Sequence, residues 1–248
     1  MKIGIFSDVH GNFVALQTVL AELEQEQVDR LLCLGDICAL GPQPAEVIER
    51  LRQLQCPVIL GNTDAWLEDP LLARESEAER HRIFYELALW SAEQLSESDH
   101  AFIRSLPSTL HVPLPQENSL LCFHGSPRSF DDVIAAVTPD DEVARMLQGQ
   151  TATVMAGGHT HIQMVRRYQD SWILNCGAVG LPGVNAGSPE LPQNQNVCWA
   201  EYAILRVEQG RISLELRRTP LDGRQLVQAL ERSSMPHKAW WLQKWRID

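Results

Sequence analysis

Several short apolar runs end in a polar group, and this pattern constrains the fold more than any other feature of the 248-residue chain. Such runs, bounded by turn residues, are typical of buried strands. The pattern predicts strands that deliver acid, amide and imidazole side chains at their ends. The groups are Asp8-Val9-His10, Gly35-Asp36, Gly61-Asn62-Thr63-Asp64, His124-Gly125 and Gly158-His159-Thr160-His161.

Helical periodicity separates the first three runs. Asn12 is a good N-cap for a helix that reaches about Gln27, and Pro44 suits the first turn of a second helix. With strands at 2–7, 31–34 and 57–60, the order β-α-β-α-β predicts parallel strands with right-handed crossovers. Ligands gather beyond the carboxyl ends of such strands, so we expect the polar groups to meet there.

The rest of the chain is interpreted as part of one domain covering residues 1–248. Residues 65–107 are expected to form a helical excursion beside the sheet, with a surface helix favoured over a substrate lid. The loop from Gly180 to Asn196 is rich in Gly, Pro and Asn and could flank the site. Residues 233–248 form a Trp-rich tail, for which we expect either a packed terminus or a homo-oligomer contact.

The composition restricts the classes of partner. The formal net charge of −11 argues against general nucleic-acid binding, which needs clustered Lys and Arg. No apolar run is long enough to cross a bilayer, and the N-terminus lacks the features of a signal peptide. We therefore expect a cytoplasmic protein without a membrane partner. The six cysteines form no CxxC pair and are predicted to be free thiols.

Each polar group occurs by chance on its own, but together the groups supply seven candidate metal ligands. Imidazole and carboxylate groups are costly to bury without partners, so core packing does not account for the set. Mixed oxygen and nitrogen ligation without thiolate suits Mn²⁺, Fe or Zn²⁺. The candidate ligands are Asp8, His10, Asp36, Asn62, His124, His159 and His161.

In these motifs the sequence resembles the calcineurin-like metallophosphoesterase superfamily. The stretch Asn175-Cys176-Gly177-Ala178-Val179-Gly180 also resembles the Gly-rich strand exit of these proteins, and the opening Ser7-Asp8-Val9-His10-Gly11-Asn12 resembles the small bacterial and archaeal phosphodiesterase-like members. The resemblance implies an α/β fold, a four-layer αββα sandwich of two mixed β-sheets flanked by helices.

The resemblance also implies roles for the candidate ligands. Asp8, His10 and His161 would hold one metal, while Asn62, His124 and His159 would hold a second. Asp36 would bridge the two through its carboxylate. The implied cofactors are two divalent metal ions, Mn²⁺ first, with Fe, Zn²⁺ or Ni²⁺ as alternatives.

The implied activity is metal-dependent hydrolysis of a phosphoric ester, with diesters favoured over monoesters. A metal-bound hydroxide would attack phosphorus in line with the leaving group. The expected partner is a small phosphorylated substrate. A dinucleotide polyphosphate hydrolase or a protein phosphatase is a lesser alternative of the same class. A non-catalytic metal-binding scaffold or interaction module is the alternative from another class, because a retromer subunit with this fold serves as a binding module.

Position 63 departs from the superfamily pattern, in which a His is the general acid that protonates the leaving oxygen. Thr63 stands there, and a hydroxyl is too weak an acid to replace it, so the general acid is unknown. Asp64 is interpreted as a turn-stabilising acceptor. Arg128 is a candidate phosphate contact, because a guanidinium grips phosphate with two donors. Asn12 is a second candidate substrate contact, with a helix cap as the alternative.

Overall fold

The computed structural model describes residues 1–74, 78–183 and 196–247. Its strands are β1 (Lys2–Phe6), β2 (Arg30–Cys33), β3 (Thr109–Pro113), β4 (Ser119–Phe123), β5 (Val154–Gly157), β6 (Met164–Tyr168), β7 (Ser171–Asn175), β8 (Asn196–Val197), β9 (Trp199–Glu208), β10 (Arg211–Pro220) and β11 (Trp245–Arg246). Its α-helices are α1 (Phe13–Gln25), α2 (Pro44–Leu54), α3 (Asn62–Glu68), α4 (Glu79–Glu93), α5 (Glu97–Arg104), α6 (Asp140–Leu147), α7 (Gly223–Arg232) and α8 (Lys238–Gln243), and a 3-10 turn covers Pro70–Ala73.

Two mixed sheets carry the fold. The first has the order β10-β9-β1-β2, with β1 parallel to β2 and antiparallel to β9. The second has the order β3-β4-β5-β7-β6, in which β4, β5 and β7 are parallel and the two edge strands are antiparallel to their neighbours. The parallel strands of each sheet therefore direct their carboxyl ends to one edge, as the sequence predicts.

Three hydrophobic cores lie between the layers of helices and sheets. Between the sheets, side chains such as Ile5 from β1 and Leu120 from β4 share one buried cluster. On the outer face of the first sheet, apolar residues of α1, α2 and α7 form a second cluster. On the outer face of the second sheet, Val143 and Leu147 of α6 pack with Phe123. This layering confirms the predicted αββα sandwich.

The prediction of a full third strand at 57–60 is wrong. Only Val58 pairs with Cys33, in an isolated parallel bridge at the edge of β2. Pro57 has no N–H to donate to the ladder, although its carbonyl accepts from the Cys33 N–H at 3.1 Å. Leu60 then donates its N–H to Pro107 O instead of to β2. The segment is therefore a minimal strand that leaves the sheet just before Gly61.

The segment predicted as a helical excursion contains most of α3, the 3-10 turn, α4 and α5. Helix α3 begins earlier than that segment, at Asn62, so the polar group after the third apolar run forms the first turn of a helix. Of the Gly180-to-Asn196 loop, residues 184–195 lie outside the described residues. It stays a prediction that the whole loop flanks the site.

The Trp-rich tail packs against its own chain. The Trp241 side chain is buried, and its indole N–H donates to Leu40 O at 3.0 Å. The Trp245 ring lies 5.2 Å from the Trp241 ring, centroid to centroid, and Trp240 meets Phe84 of α4 edge-on. These contacts account for the tail as a packed terminus. A homo-oligomer through this tail stays a prediction.

Among the described helices, none has both the length and the apolar character that crossing a bilayer requires. The cytoplasmic location stays a prediction.

We expect Trp241→Ala to lower the free energy of unfolding by about 3–5 kcal/mol, because it removes a fully buried indole and leaves the Leu40 carbonyl without its donor. Leu242→Ala is the matched control, since that neighbouring side chain is 38% exposed. It should cost less than about 1 kcal/mol. Chemical denaturation of both variants measures the difference. Equal losses would mean that the tail contributes nothing specific to the core.

Candidate metal centre

Backbone geometry at the strand ends directs the predicted ligands toward one another. Residues other than glycine rarely adopt positive φ, and where they do, the strain is found mostly at functional sites. Most of the seven predicted ligands are nevertheless in this conformation, each just after a strand of one of the two sheets. They are Asp8 (φ 55°), His10 (48°), Asp36 (54°), His159 (67°) and His161 (57°).

The first group of ligands gathers around Asp8. One ligand atom each from Asp8, His10, Asp36 and His161 lie within 4.8 Å of one another. His161 Nε2 is 3.2 Å from Asp8 Oδ1 and 3.0 Å from His10 Nε2. The two imidazole nitrogens lie close together, and two carboxylates lie beside them. Such a group of donors suits a cation placed between them.

The second group gathers around Asn62. Its Oδ1 lies 3.1 Å from His124 Nε2 and 3.1 Å from His159 Nδ1. Asp36 connects the two groups, since its Oδ2 is 3.4 Å from His124 Nε2 and 3.6 Å from His10 Nε2. The structure therefore brings all seven predicted ligands into one connected cluster.

Backbone carbonyls orient three of the imidazoles. The Nδ1 atoms of His10, His124 and His161 lie 3.2, 2.7 and 2.8 Å from the carbonyl oxygens of Ala39, Leu34 and Leu181. Because a carbonyl can only accept, Nδ1 carries the proton in each of these contacts. In the neutral ring, Nε2 then presents its lone pair to the cluster, as a metal-ligating His requires.

The motif Gly61-Asn62-Thr63-Asp64 holds Asp36 in place. The Thr63 N–H donates to Asp36 Oδ1 at 2.9 Å, which leaves Oδ2 facing the imidazoles. The Asp64 carboxylate accepts from the N–H groups of Asp36, Ile37 and Gly61 at 2.8, 2.8 and 3.0 Å. A Cβ at Gly61 would lie 2.2 Å from Asp36 Oδ1, so a side chain does not fit. The Asp64 carboxylate therefore connects the turn at Gly61 to the loop at Asp36, whereas the sequence predicted a role within its own turn only.

Only part of this role of Asp64 could be predicted from the sequence. An acid at the third position of a helix is a known capping signal, and α3 does show a capping box with Asp64. The spacing therefore indicated that Asp64 accepts from Gly61. It gave no sign that the carboxylate also accepts from the Asp36 loop, which is 28 residues away.

Opposing charges set the protonation of the cluster. Burial disfavours a charged His124, but the carboxylates of Asp36 and Asp8 outweigh burial and raise the pKa of His124 to about 10. The pKa of His161 is also raised, since Asp8 outweighs burial. Burial prevails at His10 and lowers its pKa to about 4. Within the protein alone, a proton on His124 therefore balances part of the carboxylate charge.

The predicted substrate contacts lie in different surroundings. Arg128 makes a two-pronged ion pair with Asp132, with Nε 2.6 Å from Oδ2. Asn12 is buried, accepts from the Ala15 N–H and donates to Gly180 O, so the helix cap and a loop contact occupy both ends of its amide. Thr63 is also buried, and within the described residues its hydroxyl has no hydrogen-bond partner.

The donor set fits divalent metal ions. It consists of carboxylate, amide and imidazole donors without thiolate, a combination that suits Mn²⁺, Fe and Zn²⁺. The carbonyl-bound Nδ1 atoms supply the supporting contacts that metal-ligating imidazoles usually have. Within the described chain, the fold and this cluster define a two-sheet α/β protein with a candidate metal centre at one edge of its sheets.

Comparison with known proteins identifies the family. Residues 1–210 match the calcineurin-like phosphoesterase superfamily domain. The chain belongs to this superfamily, and the prediction of a hydrolase that acts on phosphoric esters is confirmed at that level. The family assignment also agrees with a centre for divalent metals.

Individual proteins resemble the chain over different lengths, and one solved structure shares its fold. An uncharacterized protein of Methanocaldococcus jannaschii is 24% identical over 241 residues, covering 94% of this chain and 93% of that protein. A metallophosphoesterase structure from Sphaerobacter thermophilus superposes with a TM-score of 0.72 at 24% identity, covering 98% of this chain and 97% of that one. The phosphodiesterase YfcE of Escherichia coli is 35% identical over 82 residues, 29% of this chain and 45% of that protein.

We expect the binding of Mn²⁺ to release protons. The pKa of His124, about 10, lies above neutral pH, so its ligating nitrogen is protonated there and the metal must displace that proton. The affinity for Mn²⁺ should therefore rise as the pH increases from about 6 to about 9.

Calorimetric titration at about pH 8 in buffers of different ionisation enthalpy measures the protons released, and we expect about one or more per chain. His124→Asn is the control, because it keeps a neutral donor group that has no proton to lose. A binding enthalpy independent of the buffer would contradict the expected protonation.

Proposed function

We propose that the protein is a metal-dependent phosphodiesterase that uses a dinuclear metal centre. The observation that carries this proposal is the position of Asp36 Oδ2, 3.4 Å from His124 Nε2 and 3.6 Å from His10 Nε2. A single carboxylate oxygen between two groups of donors is the arrangement expected of a bridging ligand. A protein that bound a single metal ion would need only one of the two groups of donors.

In this proposal, each group of side chains holds one ion. Asp8, His10 and His161 hold the first, Asn62, His124 and His159 hold the second, and Asp36 contacts both. When bound, a pair of divalent ions lowers the pKa of a water nucleophile and neutralises charge on the phosphoryl oxygens. The protein keeps the donors at fixed separation, because the backbone carbonyls of Ala39, Leu34 and Leu181 restrain the imidazole rings.

Thr63 limits the range of leaving groups. Its hydroxyl is buried, and Thr63 stands at the sequence position where the superfamily pattern has a proton-donating His. A hydroxyl can donate a hydrogen bond to a leaving oxygen, but at neutral pH it cannot transfer a proton to it efficiently. We therefore infer that the protein favours small phosphorylated substrates whose leaving group departs without full protonation.

The preference for diesters is supported by the match to the phosphodiesterase YfcE over 82 residues. For the metal, we propose Mn²⁺ first and Fe, Zn²⁺ or Ni²⁺ as alternatives, because all of these accept mixed imidazole and carboxylate donors.

Hydrolysis of bis(p-nitrophenyl) phosphate and p-nitrophenyl phosphate by the purified protein, with and without added Mn²⁺, tests the proposal. We expect two metal ions per chain and faster turnover of the diester. Asp36→Ala should lower kcat by about 100-fold or more, because it removes the shared ligand. If two ions bind and neither ester is hydrolysed faster than by Asp36→Ala, the scaffold alternative is favoured instead.

Thr63→His should accelerate the hydrolysis of diesters with poor alkyl leaving groups by about 10-fold or more relative to aryl diesters, because general acids contribute most when the leaving group is basic. Thr63→Val is the control, since it removes the hydroxyl at similar volume. The slope of log kcat against leaving-group pKa measures the effect. A parallel change for alkyl and aryl esters would show that protonation does not limit the rate.

A further inference from the structure

The Gly-rich strand exit at residues 175–180 contains no candidate metal ligand, yet it contacts two loops that carry them. The Gly180 N–H donates to Asp8 O at 2.8 Å, which holds the end of the exit against the Asp8 loop. Asn175, the last residue of β7, begins the exit and contacts the other loop. That loop is the turn at residues 158–161, which we call the histidine turn.

Both polar atoms of the Asn175 amide are hydrogen-bonded. Its Nδ2 donates to Gly158 O at 2.5 Å and to Thr160 Oγ1 at 3.0 Å, and its Oδ1 accepts from the Gly177 N–H at 2.9 Å. The side chain is 3% exposed, and its backbone belongs to the ladder between β5 and β7. The amide therefore joins the fixed end of β7 to the residues on both sides of His159.

The histidine turn needs support from outside, because its backbone is strained. His159 and His161 both have positive φ, 67° and 57°, which residues other than glycine rarely adopt. Within the turn, the Thr160 N–H donates to Gly158 O at 2.8 Å, and the same carbonyl accepts from Asn175. Loss of the Asn175 donor would therefore leave the turn with fewer bonds that oppose its relaxation.

The two imidazoles of the histidine turn are held in different ways. The His161 Nδ1 lies 2.8 Å from Leu181 O, which orients that ring. In the part of the chain that the structure describes, the His159 ring contacts no backbone carbonyl, and its Nδ1 lies 3.1 Å from Asn62 Oδ1. Because both of those atoms are candidate ligands of the same ion, their direct contact cannot orient the ring once each binds the ion. The orientation of His159 then depends on the backbone of the turn, to which Asn175 is bonded.

We propose that Asn175 is a positioning residue that fixes His159 for binding of the second ion. The inference deepens the proposed function and rests on it, because it takes the two groups of ligands as assigned there. Removing the amide loosens the backbone of the histidine turn, whereas Leu181 O still restrains the His161 ring. The loss of affinity should therefore fall on the second ion more than on the first.

Calorimetric titration of metal-free Asn175→Ala with Mn²⁺ tests the proposal. We expect the second ion to bind about 10-fold or more weakly than in wild type, and the first ion to stay within about 3-fold, because supporting contacts of a ligating imidazole contribute at this scale. Asn62→Ala, which removes a candidate ligand, identifies the step of the titration that belongs to the second ion. Equal weakening of both ions, or no weakening, would overturn the proposal.

Two control variants separate positioning from a general loss of stability. Asn118→Ala removes the same kind of side chain, whose Nδ2 donates to Pro115 O at 3.0 Å in the turn between β3 and β4. Val143→Ala removes buried apolar volume from α6, on the outer face of the second sheet. Both variants should keep the two Mn²⁺ affinities of wild type. A selectively weaker second ion in Val143→Ala would contradict a specific role of Asn175.

Thr160→Val provides a milder variant, in case Asn175→Ala does not fold. It removes one acceptor of the Asn175 amide and keeps the contact with Gly158 O, so the second ion should bind about 3-fold more weakly. Thr160→Ser keeps the hydroxyl and should bind both ions as wild type does. Equal affinities for the second ion in the Val and Ser variants would overturn the proposal.

Hydrogen exchange in the metal-free protein separates this inference from the proposed function. The titration needs no substrate, so it still decides the inference if neither ester is hydrolysed and the proposed function fails. If the wild-type protein binds only one Mn²⁺, the dinuclear centre fails, and hydrogen exchange then decides the inference. In Asn175→Ala, the amides of residues 158–161 should exchange about 10-fold faster, while those of residues 35–37 keep their rates. Unchanged exchange in the histidine turn would overturn the inference.

Discussion

The Asp36 carboxylate has to be buried, charged and fixed at once, and much of the structure serves that requirement. Burial disfavours its charge, but His124 and His10 more than offset this cost and keep the pKa of the carboxyl low. The Thr63 N–H fixes one oxygen, so that the other faces both groups of donors. Asp64 in turn holds the backbone N–H of Asp36. The third apolar run leaves the sheet after a single bridge, and helix α3 begins beside the Asp36 loop.

The same requirement explains why the centre lies on strained backbone. The five ligands with positive φ each cost about 1 kcal/mol or more relative to ordinary conformations. A loosely packed framework would relax by moving these residues. The surrounding framework is tightly packed, with the core between the sheets below the cluster and Gly158 so close to Ser7 that a Cβ would lie 2.1 Å from its hydroxyl. Stability elsewhere in the sandwich thus holds the ligands in place for binding.

Local patterns in the sequence predicted the parallel strands and the cluster, whereas the four-layer sandwich was implied by the resemblance to the superfamily. Apolar runs with polar ends indicate strands, and parallel strands bring their carboxyl ends together, so the convergence of Asp8, Asp36 and His124 was predictable. The reduction of the third strand to a bridge depends on how Pro57 meets β2, which no local pattern reveals. The double role of Asp64 and the pairing of Arg128 with Asp132 depend on how loops fold back. Those contacts are set by tertiary packing, so motif spacing could indicate only that Arg128 lies near the site.

In the proposed reaction, Thr63 and the metal ligands act on different parts of the substrate. The candidate ligands would bind the phosphoryl group, whereas Thr63 stands at the sequence position of the acid in the superfamily pattern and would bear on the basicity of the leaving oxygen. Thr63 holds Asp36 through its backbone N–H, and its side chain is not among the candidate ligands. The side chain could therefore change while the contact that fixes Asp36 stays in place. In the proposed function, the range of leaving groups can thus be adapted at this position without replacing a metal ligand.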